Sequence, residues 1–423
     1  MNSETVEVRE VSPGYGFMPA KPTMPAGYKQ TEAGVVPEDW NVLSLDELSD
    51  FTTSGSRGWA AYYSEHGALF IRSQNVRSGR LDFRDSRFVK PPQGAEGSRT
   101  RAKRDDVLIT ITGNNVGNVA LVEQDFEEAY ISQHVGLVRL KNPQIAQYVC
   151  RFLSPSAPGN LQIWASQSGQ SKPGLTLQNL HGFIVALPPT QYEQHAISTA
   201  LSEVDALLEG LDRLIAKKRD IKQATLQQLL TGQTRLPGFE EEWEVKRLGD
   251  LAEIVMGQSP SSSNYNVRGK GLPLIQGNAD IADRCAMKRI FTTQITKRGQ
   301  AGDILLSVRA PVGEVSKAGF DVCLGRGVCA IRFPNNFLYH YLIFLEPTWS
   351  KHSKGSTFDS VNSTDVKALD IEIPSDVSEQ EAIAAVLSDL DADLEALTQR
   401  RAKTAAIKQA MMQALLSGRI RLV

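Results

Sequence analysis

At 423 residues, 41% hydrophobic and 22% charged, the chain has the composition of a soluble globular protein of two or three domains, which excludes a fibre or a disordered polymer. No stretch approaches the ~20 apolar residues of a membrane span, and the polar start MNSETVEVRE lacks the basic and apolar regions of a secretory leader, so a cytoplasmic location is expected. Net charge is -2, which alone gives no reason to expect a polyanionic partner, and the scattered Cys150, Cys285, Cys323 and Cys329 have no metal or redox spacing and read as reduced core residues.

Residues 1–26, rich in proline and glycine, read as an extended or flexible arm. A first domain is expected over 27–190. Its polar loop TTSGSRGWAAYY from Thr52 is followed by short apolar strands in ALFIRS, DVLITIT and GLVRLK, then a second polar loop, SGQSKPGLTLQNL from Ser168, and a last strand ending at Pro188. Between Arg57 and Arg104 eleven basic residues face four acidic ones, an excess of about seven that suits either a nucleic-acid surface or a solvated face.

A long helix is expected over 191–235. Ile197, Leu201, Val204, Leu208 and Leu211 step by four and three, giving a narrow apolar seam of the coiled-coil kind, and Gly232 supplies the left-handed turn that ends a helix. A second domain over 236–376 parallels the first: EEEWEVKRLGDL puts Trp243 against Trp40, the loop MGQSPSSSNYN starts at Met256, and strands in LPLIQG, DILLSV and CAIRF precede the loop KGSTFDSVNSTDV and a last strand ending at Pro374. A milder basic excess lies between Lys288 and Arg332. The final helix, 377–423, repeats the seam with Ile383, Leu387, Leu390, Leu394 and Leu397 and closes on Gly418.

Sliding the chain by 186 positions lays Glu193–Leu236 on Glu379–Leu422 without a gap, with roughly half the positions identical. Each helix should be about 55 Å long. Two matching seams in one chain most simply bury each other, and a coiled coil between two copies of the chain is the alternative. The fold class expected is α+β: two similar mixed α/β domains joined by two long antiparallel coiled-coil helices, a pseudo-two-fold internal repeat.

No nucleotide-binding loop of the Gly-x4-Gly-Lys-Ser/Thr type is present, and LPPT and KPPQ lack the polar first and aromatic last residues of an adenine methyltransferase motif. His66, His134, His181, His195, His340 and His352 show no metal spacing, and Ser132 beside His134 lacks a visible third partner for nucleophilic catalysis. The chain itself is expected to catalyse nothing and to need no metal or cofactor. Two similar but unlike basic domains on a rigid spacer suit a DNA site split into two different halves, because major grooves on one face recur every helical turn of about 34 Å. Base edges call for Arg against guanine and Asn or Gln against adenine. The expected DNA-binding residues in the first domain are Arg57, Gln74, Asn75, Asn114, Asn115, Gln170 and Lys172, and in the second Gln258, Asn264, Gln276, Asn278, Arg309, Arg326, Lys354 and Thr357. Trp59 and Tyr62 could pack against sugar or a thymine methyl, or in the core. The alternatives are a structural adaptor whose two domains bind proteins, and a stand-alone DNA-modifying enzyme.

The repeated helices with their LLTGQTRL and LLSGRIRL endings, GYKQTEAGVVPEDW at Gly27 and GFEEEWEVKRLGDL at the second half resemble the specificity subunits of type I restriction-modification systems over about Gly27 to Val423. The resemblance implies two target-recognition domains reading a bipartite asymmetric double-stranded DNA site, with the helices setting the gap and docking two modification subunits. It further implies that S-adenosylmethionine belongs to those methyltransferase subunits, and ATP and magnesium to restriction/translocase subunits. The N-terminal arm is longer than the family's usual lead, which leaves its role open.

Overall fold

The computed structural model describes residues 24–91, 94–167, 174–351 and 360–423. It divides into two compact units, the first made of the chain up to Leu208 together with Lys403–Val423, the second of Glu209–Ala402. The expected arm, apart from its last three residues, lies outside the described residues. Two long helices, Gln191–Leu230 and Val377–Leu415, run from one unit into the other. None of the described helices is long and apolar enough to cross a membrane.

In the first unit, Ser49–Ser54, Val135–Leu140, Val107–Thr110 and Val119–Leu121 form an antiparallel sheet in that order. A second sheet is built on Ala68–Ile71, with Ala129–Ile131 parallel on one side and Phe88–Val89 antiparallel on the other. The second unit repeats this scheme. Glu253–Met256, Val328–Arg332, Ile304–Ser307 and Val315–Lys317 follow the same order, and Leu272–Ile275 again pairs in parallel with a short strand, Val322–Leu324. The short hairpin of Ile281–Ala282 and Cys285–Ala286 extends the second unit's sheet. A buried ion pair recurs as well: Arg139 meets Asp106 at 2.7 Å, and Arg332 meets Asp303 at 2.9 Å. Burial raises the Asp106 carboxyl above its usual range, a desolvation that the hydrogen bonds from Arg139 and the Lys103 N–H oppose.

The two helices are antiparallel within each unit. In the first, Lys408 Nζ lies 2.6 Å from Asp205. In the second, Arg401 meets Asp212 at 2.9 Å, Lys218 meets Asp393 at 2.7 Å, and Lys222 pairs with Asp391, so the partner number falls as the residue number rises. Gly232 and Gly418 take φ of +65° and +70°, the left-handed turn inferred from the sequence.

The seam has a different partner at its ends from the one the periodicity suggested. Ile197 and Leu201 are buried in the first unit's main core with Trp40, Tyr148 and Phe152, and Met412 and Leu415 of the second helix, with Leu416 just past its end, join them there. Ile383 and Leu387 do the same in the second unit, with Leu226, Leu229 and Leu230. Leu211 is buried, whereas Val204, Leu208, Leu390, Leu394 and Leu397 are half-buried. The helix pair is thus part of each domain's core. Among the cysteines, Cys150, Cys323 and Cys329 are buried as expected, but Cys285 is exposed, because it sits in the short edge hairpin.

One contact closes each unit. Arg421 donates to both carboxylate oxygens of Glu193 at 2.5 and 2.8 Å, and Arg235 donates to both oxygens of Glu379 at 2.6 and 2.7 Å. Each pair joins the same two positions of the repeat, and each glutamate side chain has 0% exposure. Beside it the Gln194 and Gln380 amides donate to the Pro188 and Pro374 carbonyls at 2.7 and 2.8 Å. Removing a cation from a fully buried carboxylate leaves an uncompensated charge. Arg421→Ala and Arg235→Ala are each expected to lower stability by about 3–5 kcal/mol, measured by urea unfolding of the full chain. A loss below about 1 kcal/mol, the range of a surface pair, would contradict this.

Candidate nucleic-acid interface

Each domain carries a recess at one end of its sheets, formed where three loops meet. The backbone frame is the same in both. Gly55 N–H donates to the Val135 carbonyl at 3.2 Å, as Gly257 does to Val328 at 3.0 Å. Ser132 N–H donates to Ile71 at 2.9 Å, as Gly325 does to Ile275 at 2.8 Å; Ile111 donates to His134 and Val308 to Gly327, both at 2.9 Å. The loops cross so closely that a Cβ on Gly55 would stand 2.2 Å from the Ser132 carbonyl carbon, and one on Gly257 2.0 Å from the Gly325 oxygen, so glycine is required at both crossings.

On this shared frame the side chains differ. The first recess, about 270 Å³, has polar lining from Ser56, Arg72, Gln74, Ser132, Gln133 and His134. The second, about 200 Å³, has Ser259, Gln276, Asn278, Arg309 and Arg326. By the hydrogen-bond register Arg72 stands where Gln276 does, Gln74 where Asn278 does, and Gln133 where Arg326 does.

Four of the residues inferred from the sequence therefore converge in the second domain: Gln276, Asn278, Arg309 and Arg326. Arg309 and Arg326 are exposed, while the Asn278 amide donates to the Glu314 carboxylate. Gln258 is exposed next to Ser259, and Asn264 lies in the short turn Ser262–Asn264 with its amide donating to Gln294 at 3.0 Å, outside the recess. In the first domain Gln74 lines the recess and exposed Arg57 stands on its lip between Ser56 and Gly58. Exposed Asn114 and half-buried Asn115 sit in the turn after Val107–Thr110 and do not line it. Gln170, Lys172, Lys354 and Thr357 lie outside the described residues.

Asn75 has a structural position rather than a reading one. It is 2% exposed, its oxygen accepts from the Arg72 N–H at 2.9 Å, and its amide donates to the Asp82 and Asp85 carbonyls at 2.9 and 3.2 Å. A saturated, buried amide has nothing left to offer a base edge. Trp59 takes the core alternative, stacked on Phe70 at 5.6 Å, whereas Tyr62 stays exposed. Ser132 and His134 form no hydrogen bond with each other; His134 Nδ1 instead shares a hydrogen bond with Thr112. The inferred basic patch is partly internally neutralised. Arg72 meets Asp85 at 3.1 Å, Arg84 meets Asp82 at 2.6 Å, and Arg104 meets Asp125 at 3.4 Å. Hydrogen bonds from Gln74 and Arg72 hold the Asp85 carboxyl below its usual range.

Sequence reasoning missed Arg72, Ser132, Gln133, His134 and Ser259. Laying RSQN on QGNA and SQHVG on GRGVC would have found the first four, because the two halves use matching loop positions.

The comparisons agree with this architecture. The family model for the type I restriction modification DNA specificity domain matches residues 37–217 and again 240–406. Over 413 residues the chain is 27% identical to the putative type I restriction enzyme MjaX specificity subunit of Methanocaldococcus jannaschii, spanning 93% of this chain and 96% of that one. A solved structure from work on complex assembly and conformational transition of the type I R-M system is 26% identical, with a TM-score of 0.57 and coverage of 91% and 99%. The S subunit of a type I restriction-modification system from M. genitalium, 16% identical, shares the fold with a TM-score of 0.61 over 89% of this chain and 96% of that one. With both repeats matched and nearly the full length shared, the chain belongs to the type I restriction modification DNA specificity family.

Proposed function

We propose that the two recesses read the two halves of a bipartite, asymmetric double-stranded DNA site. As a specificity subunit the chain is not itself the catalyst; it supplies the sequence readout that directs the restriction-modification complex. The observation that carries the two-reader assignment is the pair of equivalent loop frames bearing different polar side chains. Equivalent frames present side chains to a base pair in the same way, and unlike side chains select unlike bases. Arg309 and Arg326 suit guanine, and Gln276 suits adenine; Gln74 and Arg57 offer the corresponding chemistry in the first domain.

The near-neutral chain leaves much of the phosphate neutralisation to its partners, since nonspecific DNA affinity comes from released counterions. In this reading two modification subunits dock on the helix pair and methylate adenine with S-adenosylmethionine, and restriction/translocase subunits using ATP and magnesium complete the assembly in the cytoplasm. The two continuous helices of 40 and 39 residues act as the ruler for the gap.

Exchanging the segment from Trp40 to Pro188 for that of another specificity subunit should change one half-site and leave the other intact when methylated sites are mapped by sequencing. A change in both halves would overturn the two-reader assignment. Arg326→Ala should weaken DNA binding by the co-expressed complex by about 1–3 kcal/mol and relax selection at one base pair of the second half-site. Lengthening one helix by a turn should alter the gap and keep the bases, which the same mapping reads; altered bases at constant spacing would contradict the ruler.

A further inference from the structure

The recess of the first domain has a feature that its counterpart lacks. Three of its walls are aromatic: Trp59 and Phe70 stack at 5.6 Å with 8° between their planes, and Tyr63 stands edge-on to Phe70 at 5.6 Å. Trp59 and Phe70 are held rigid in a buried cluster with Ala68, Val89 and Tyr130, whereas Tyr63 is 49% exposed. Within the same recess Ser132 is only 5% exposed, and its Oγ has no hydrogen-bond partner among the described residues. No aromatic residue lines the second recess among the described residues.

We infer that the first recess is a methyl pocket, which takes a methyl group presented in the DNA major groove beside a polar base edge. This deepens, and rests on, the two-reader function. The ordinary bases offer one apolar group in that groove, the C5-methyl of thymine, and thymine places its O4 acceptor next to it. The exposed ring of Tyr63, backed by the buried Trp59–Phe70 stack, would release water on receiving the methyl, while Ser132 Oγ–H gains an acceptor in O4. A base edge without a methyl could still reach Ser132, but it would put a polar atom or nothing against the rings and so lose the apolar contact. An adenine already methylated at N6 carries the same chemistry, a methyl beside a polar edge, and is the other source of the ligand. The first half-site is therefore read partly through shape and methyl contact, the second through polar side chains.

The test uses the complete complex with its modification subunits and duplexes of the mapped site. Each thymine of the first half-site is replaced singly by deoxyuridine, which lacks only the methyl. At one position affinity should fall about fourfold, the worth of one buried methyl-sized group, and deoxyuridine in the second half-site should have no such effect. Ala60→Leu fills the recess from an exposed position and should abolish the difference between thymine and deoxyuridine while leaving second-half-site selection unchanged. If deoxyuridine is neutral but N6-methyladenine in the first half-site raises affinity, and Ala60→Leu removes that gain, the methyl pocket stands with adenine as its source. If neither methyl matters, or the first half-site carries none, the methyl pocket is overturned. Base-pair transversions in each half-site keep the two failures apart: if they abolish specific binding while the methyl series is flat, the two-reader function survives, and if they too are without effect it falls.

Discussion

Two carboxylates without access to water, Glu193 and Glu379, each need a cation, and each finds it at the far end of the opposite repeat. This requirement fixes the antiparallel course of the helices, since Arg421 reaches Glu193 only if the second helix returns along the first, and Arg235 reaches Glu379 by the reciprocal path. It also fixes the chain beyond each helix end. Bidentate guanidinium–carboxylate geometry is directional, so each domain's entry, the first helical turn and the terminal strand are set together. The apolar contacts of Ile197 and Leu201, or of Ile383 and Leu387, then fill cores that the domains and the helix pair share.

The recesses divide labour between backbone and side chain. Hydrogen bonds from peptide groups, which are indifferent to side-chain identity, hold three loops in one arrangement in both domains. Side chains on that frame remain free to differ, and they do: aromatic walls with Arg72 and Gln74 in one case, Gln276, Asn278, Arg309 and Arg326 in the other. Gly55 and Gly257 are the exception, fixed by the close crossing of the loops. The side chains thus vary where the frame does not depend on them.

The helices, their closing glycines and the order of strands were legible in the sequence because periodicity and turn chemistry are local. What buries an apolar face is not local, so the seam could be seen while the cores that receive Ile197 and Ile383 could not. The second recess was legible through loop Arg, Gln and Asn residues that are neighbours in the fold. The first was half missed, because Arg72, Gln133 and His134 meet only through tertiary folding, and Asn75 was misassigned because an amide in a loop serves equally to tie the loop together. Cys285 illustrates the same limit: residue type favours burial, but an edge hairpin exposes it. The charge excess between Arg57 and Arg104, which already counts Asp82 and Asp85, is reduced further in space by Asp125 from outside that segment.

The helix pair offers each domain the same kind of face. Whichever globular segment comes after the arm or the first helix meets the same socket: an isoleucine and a leucine one turn apart, a glutamine that captures the carbonyl of the terminal proline, and a glutamate waiting for an arginine. A domain that satisfies the socket in one position satisfies it in the other. Exchange of one globular segment for another that makes these contacts would therefore leave the helix ends unchanged.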